Sequence, residues 1–193
     1  MLVVLTGIPG SGKTTLAKRA LEILKEEEGK SQYEILNYGD IAFEIAKERD
    51  NVQNRDEIRK LKLSEQKEIQ RLAAKRIANA SKDKSVIIDT HCTISTPKGY
   101  IPGLPEWVLR ELQPDLLIII EASPEEIVKR RKKDETRERD DEIKSEIKLH
   151  QELNRFIAMS YSTLTGAAVK IIKNPEDKID ETARKLAEIL KLN

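Results

Sequence analysis

Gly7-Ile8-Pro9-Gly10-Ser11-Gly12-Lys13-Thr14 stands between a short apolar run, Leu2 to Leu5, and a helix-patterned stretch that opens at Thr15. Strand, glycine loop and helix, in that order, are what a phosphate cradle requires. Successive backbone N–H groups of such a loop turn inward around a phosphate. The helix N-terminus behind it adds partial positive charge. Lys13 is placed to reach the β- and γ-phosphates of a nucleotide, and the Thr14 hydroxyl to ligate Mg2+. A bare match to this pattern can also be a turn that binds nothing; here the flanking strand and helix patterns are present as well. The candidate phosphate-binding residues are Gly7, Ile8, Pro9, Gly10, Ser11, Gly12, Lys13, Thr14 and the adjoining Thr15.

The 193 residues suit a single domain with a real core. With 35 basic and 34 acidic residues the formal charge is +1, so no polyanionic partner is implied. Aromatic residues make up 4% of the chain, too few to build a base-stacking surface readily. Nucleic acid is therefore not an expected partner. The charged fraction of 36%, rich in Glu and Lys, suits a heat-tolerant protein. Cys92 is the single cysteine, which excludes an internal disulfide and fits a reducing cytoplasm. No run approaches the roughly 18–20 apolar residues of a membrane span. The first apolar residues lead straight into the glycine loop, so no presequence is expected, and a cytoplasmic location is.

Strand patterns recur at Leu2 to Thr6, Tyr33 to Asn37, Val86 to Asp89, Leu116 to Ile120 and Val169 to Ile172. Several are almost wholly apolar, as strands covered on both faces are. Helical patterns lie between them: Thr15 to Glu28, Asp40 to Asp50, Ser64 to Ala80, Leu104 to Glu111, Pro124 to Lys133, Asp141 to Thr163 and Pro175 to Leu192. Ser123 reads as the N-cap of the fifth of these, with Pro in its first turn. This alternation predicts an α/β fold of the P-loop NTPase type: three layers, a five-stranded parallel sheet, and helices on both faces. Thr93 to Leu104, with Pro97, Gly99, Pro102 and Gly103, reads as a constrained loop. Ligands of such sheets sit beyond the carboxyl ends of the strands, where the helical excursion 40–80 and the charged run 130–142 both begin.

Val86-Ile87-Ile88-Asp89 puts a carboxylate at the end of an apolar strand, where a Mg2+-associated Asp belongs, directly or through water. A buried structural Asp is the alternative. His91 reads equally as a substrate contact or as a neutral imidazole bonded in the core. Tyr38 and Gly39 end the second strand, and Gly39 allows close approach to a ligand. Asp40 either caps the next helix or faces the site. In Asn54 to Leu61, Arg59 is the first candidate for a phosphate fork and Arg55 the second, with Asp56 holding one of them; a solvated helix face is the plainer reading. Tyr100 lines a base pocket or covers the core, as Trp107 is expected to. Cys92 reads as packing. In Arg130 to Asp140, the guanidinium groups of Arg130, Arg137 and Arg139 can offset charge on a transferring phosphoryl group. At Lys173-Asn174-Pro175, an adenine contact and an ordinary capped turn stay undivided.

These stretches together resemble the archaeal type of adenylate kinase, essentially end to end. The resemblance implies phosphoryl transfer between ATP and AMP to give ADP, with Mg2+ as cofactor. It implies one P-loop kinase domain over 1–193, an AMP-binding arm with its following helices at 37–80, and a short lid at 130–142 without zinc. By resemblance, Gly7 to Thr15 and Arg130 hold ATP, and Lys13, Arg130, Arg137 and Arg139 are catalytic. Tyr38, Gly39, Arg55, Arg59, Asp89, His91 and Tyr100 serve AMP, and Thr14 and Asp89 serve the metal. Members of the family are trimers, so a homotrimer is expected. Two other readings stay open: a kinase for a different monophosphate or small acceptor, and a regulatory P-loop NTPase.

Overall fold

The computed structural model describes residues 1–29, 32–50, 52–58, 60–133 and 144–192. Strand β1 (Leu2–Thr6) leads through the glycine loop into α1 (Lys13–Glu28). Then come β2 (Tyr33–Asn37), α2 (Tyr38–Asp50), α3 (Arg55–Ile58), α4 (Leu63–Ala80) and β3 (Ser85–Asp89). A hairpin of β4 (Thr93–Thr96) and β5 (Gly99–Pro102) precedes α5 (Glu106–Leu112) and β6 (Leu116–Glu121). The chain closes with α6 (Pro124–Lys133), α7 (Lys144–Thr165), β7 (Ala168–Lys173) and α8 (Ile179–Lys191).

The main sheet has five parallel strands in the order β2-β3-β1-β6-β7. The alternation of apolar residues in β1 divides the core. Leu2 and Val4 join the layer of α2, α4, α5 and α7, whereas Val3 and Leu5 join that of α1 and α8. Helix α1 buries Leu16, Ala17, Ala20, Ile23 and Leu24, one stripe at helical spacing. In register, Leu5 lies beside Asp89 and Thr6 beside Ile119, so β3 and β6 end on either side of the glycine loop. The topology thereby gathers three strand ends at one point. Among the described residues no helix is long and apolar enough to cross a membrane.

Several expectations need correction. The span 93–104 is no loop: β4 and β5 pair antiparallel, with Ser95 opposite Tyr100. Its neck is tight, because a Cβ on Gly103 would run into the carbonyl of His91. The second helix starts at Tyr38, since the Asn37 side chain accepts the Asp40 N–H at 3.0 Å; Asp40 is inside the helix and is not its cap. Glu65 accepts the Lys62 N–H at 2.9 Å, so α4 begins before Ser64. Helix α5 starts after Pro105 and runs to Leu112. The last helix starts at Ile179, after a 3-10 turn over Glu176–Lys178.

Candidate active site

The glycine loop is closed by a turn in which Ser11 N–H donates to Ile8 O at 3.1 Å. Gly12 takes φ +83°, which an L side chain rarely adopts, and a Cβ there would lie 2.6 Å from Asn174 Nδ2. Gly7 is required for another reason: a Cβ would lie 2.5 Å from Ile120 O. The loop is wedged against the end of β6. Helix α1 starts at Lys13, so the first-turn N–H groups and the helix dipole face whatever the loop encloses.

Asp89 is buried at the foot of this loop. Its Oδ2 accepts a hydrogen bond from the Thr14 hydroxyl, and its Oδ1 lies 3.2 Å from Lys13 Nζ. Among the described residues Oδ1 takes no hydrogen bond, and the Lys13 ammonium offsets the carboxylate charge. Three of the sequence candidates, Lys13, Thr14 and Asp89, are brought together here, Thr14 and Asp89 across 75 residues of sequence.

His91 Nδ1 lies 2.9 Å from Gly7 O. A carbonyl only accepts, so Nδ1 carries the proton. Burial, reinforced by the neighbouring Lys13 charge, lowers the imidazole pKa to about 4 and keeps the ring neutral. His91 thus ties the end of β3 to the start of the glycine loop. Cys92 is fully buried, and its thiol pKa is pushed up to about 12 by burial.

Helix α6 supplies two more groups, Arg130 and Arg131. Arg130 donates from Nη1 to Ser11 O at 3.1 Å and from Nη2 to Asn174 O at 2.9 Å. Arg131 donates to Pro9 O from Nε at 3.0 Å and Nη2 at 2.8 Å. Asn174, buried at the end of β7, donates from Nδ2 to Ser11 O at 3.0 Å. The helix is aimed by its cap. Ser123 Oγ accepts the Glu126 N–H at 3.2 Å, Glu126 Oε2 accepts the Ser123 N–H at 2.8 Å, and Glu126 Oε1 accepts the Glu176 N–H at 2.7 Å. Arg131 escaped the sequence reading, and Asn174 entered it only within a stretch read as an adenine contact or a capped turn. Arg131 is hidden in a run of basic residues, and Asn174 resembles a turn residue. Their only sequence signal is that each follows a strand whose end borders the loop.

The candidates on the acceptor side are more scattered. Arg55 pairs with Asp40, and its Nη1 stands 3.5 Å from where a Gly39 Cβ would be. Tyr38 is turned into the core, its hydroxyl donating to Gln70 O at 3.0 Å, so the phenol ties α2 to α4. Burial raises its pKa. Tyr100, on the hairpin, packs against the buried His150 ring at 4.8 Å between centroids. Trp107 covers the core and donates to Gln70 Oε1 at 3.0 Å. Arg59, Arg137 and Arg139 lie outside the described residues.

Residues 6–148 match the AAA domain family. The chain is 54% identical over 192 residues to the adenylate kinase of Methanopyrus kandleri, covering 98% of this chain and 97% of that one. It is 51% identical over 190 residues to the adenylate kinase of Methanocaldococcus jannaschii, covering 98% of each. The chain belongs to the adenylate kinase family. Two solved structures share the fold of this kinase at low identity. The shikimate kinase from Bacteroides thetaiotaomicron has a TM-score of 0.57 at 16% identity, covering 99% of this chain and 98% of that one. A thymidylate kinase from Ehrlichia chaffeensis has a TM-score of 0.51 at 13% identity, with the same coverage.

Proposed function

We propose that this adenylate kinase catalyses reversible phosphoryl transfer, ATP + AMP to two ADP, assisted by Mg2+. The observation that carries the reading is the meeting of Lys13, Thr14 and Asp89 under a preformed glycine loop. Likeness to adenylate kinases over nearly the whole chain supports the choice of acceptor. The loop N–H groups and Lys13 hold the ATP phosphates and offset charge as the phosphoryl group moves. A phosphate oxygen of AMP is already a nucleophile near neutral pH, so no general base is needed. Arg55, Arg59, Gly39 and Tyr100 are proposed on the AMP side, and Arg130, Arg137 and Arg139 around the transferring group. Tyr38 supports this arm from within the core.

The donor set fits Mg2+. Thr14 Oγ1 and the Asp89 carboxylate are hard oxygens, and Asp89 Oδ1 is buried without a hydrogen bond from the described residues. Among the described residues no group of three or more His, Cys, Asp and Glu could hold a metal ion. Such a site relies on substrate phosphates and water, as Mg2+ sites do. When bound, the ion neutralises charge on the phosphates.

One domain, an acceptor arm over 37–80 and a lid over 130–142 are proposed with this activity, in a cytoplasmic homotrimer. An exposed apolar stripe on α7 supports assembly. The test is a coupled assay with ATP and Mg2+. ADP must form only when AMP is added, with little free phosphate. A regulatory NTPase would release phosphate without an acceptor, and a kinase for another monophosphate would prefer a different member of an acceptor panel. Arg59→Ala is expected to raise KM for AMP, and Arg137→Ala to lower kcat. Equal, unchanged kinetics in both variants would remove those two assignments.

A further inference from the structure

We infer that the phosphate loop is held in its binding shape by side chains gripping alternate backbone carbonyls from outside, which makes His91, Arg131 and Asn174 positioning residues for the ATP side. The inference rests on the reading that this loop receives ATP phosphates. A trans peptide points its C=O and the following N–H in opposite directions, and no described peptide bond is cis. His91 holds Gly7 O, so the Ile8 N–H is turned the other way. Arg131 holds Pro9 O with both its Nε and Nη2, which turns the Gly10 N–H away from α6. Asn174 and Arg130 together hold Ser11 O, and the Gly12 N–H is turned correspondingly. Two of the other loop carbonyls serve the chain itself: Ile8 O takes the Ser11 N–H, and Gly12 O takes the Leu16 N–H.

The grip answers a physical need. Gly10 and Gly12 sit at φ +90° and +83°, positions where a glycine chain can also flip to other shapes. A loop without a hydrogen-bonded ladder would have to order its N–H groups at each binding event. Side chains that follow β3 and β7, with two from α6, remove that freedom in advance. On the loop their described bonds go to carbonyl oxygens, which leaves the N–H donors available for an anion. Asn174 is 4% exposed, and among the described residues its Oδ1 takes no hydrogen bond, while its Nδ2 donates to the loop.

His91 permits a clean test because it holds the loop through one ring nitrogen, Nδ1, at 2.9 Å from Gly7 O. The amide nitrogen of Asn can stand where Nδ1 does, whereas that of Gln reaches beyond it. The full-length protein is compared with His91→Ala, His91→Asn, His91→Gln, Arg131→Ala and Asn174→Ala. ATP affinity is measured by calorimetry without AMP, steady-state kinetics give both KM values, and Tm is recorded. Each alanine variant is expected to weaken ATP binding about tenfold, the size of one lost bond to a fixed donor, with KM for AMP within about twofold. His91→Asn is expected to restore ATP affinity and His91→Gln is not. Unchanged ATP affinity in the alanine variants overturns the inference. So does an equal loss for both nucleotides that tracks Tm, or equal rescue by Gln. Failure of the unaltered protein to bind ATP overturns the underlying reading of the loop instead.

Discussion

Asp89 combines two tasks that one substitution separates. Its Oδ2 accepts from Thr14, and its Oδ1 balances Lys13. Asn at this position keeps an acceptor for the hydroxyl but loses the charge. Asp89→Asn is expected to raise the Mg2+ concentration needed for half-maximal rate and to lower kcat by about a hundredfold, read from a metal titration of the coupled assay. Lys13→Ala should lower kcat by about the same factor, because charge developing on the phosphates loses its nearest cation. Glu126 allows a pH test away from the chemistry. Burial pushes its carboxyl up, but the bonds from Ser123 and Glu176, with the Arg130 charge, outweigh this and leave it below its ordinary 4.5. A depressed carboxylate stabilises the fold above its unfolded pKa and loses that contribution as pH falls through the folded value. Tm of the wild type should therefore fall more steeply than that of Glu126→Gln between about pH 5 and pH 3, measured by scanning calorimetry. Parallel curves would mean that the cap bonds do not favour the ionised form.

At the scale of elements, the parallel strands and their helices were legible because each carries its own period. Val86 to Asp89 and Leu116 to Ile120 are apolar runs that only a doubly covered strand explains. The phosphate loop was legible because its residues are contiguous. The hairpin was not, since Thr93–Pro102 is largely exposed, with Gly and Pro within it, and lacks alternation between a core face and a wet face. Its order comes from distant groups instead. Tyr161 on α7 donates to Cys92 O at 2.9 Å and accepts the Leu104 N–H at 3.1 Å, so one phenol closes the neck from both sides. The grip on the loop was hidden for the same reason: Asn174 and Ser11 meet across 163 residues, and neither has a local pattern that announces the other. Tyr161→Phe leaves that buried N–H and carbonyl without their shared partner. It should destabilise the protein by about 1–3 kcal/mol in denaturant unfolding. An unchanged midpoint would show that the neck is held by the Gly103 N–H to Cys92 O bond, 2.7 Å long, and by packing.

The whole molecule leaves one face of α7 uncovered. Leu149, Phe156 and Leu164 are 49%, 68% and 58% exposed, and their spacing puts them along one stripe of the helix. Ile171, 48% exposed on the edge strand β7, shares a sheet face with Val169, which packs in the α7 layer. Exposed apolar residues aligned on one helix face, on a chain with 36% charged residues, are what a partner surface needs, and single exposed apolar residues would not require one. A second and third copy of the chain are the proposed cover. Light scattering should then give three times the 22.0 kDa chain mass. Phe156→Glu puts a charge in the middle of the stripe, which an apolar interface cannot take up unpaired. The variant should run at the mass of one chain. It should keep its coupled-assay kcat when fresh and lose Tm, because assembly stabilises the folded chain by mass action. Retention of the trimer mass in Phe156→Glu would move the interface elsewhere, and a monomeric wild type would remove it.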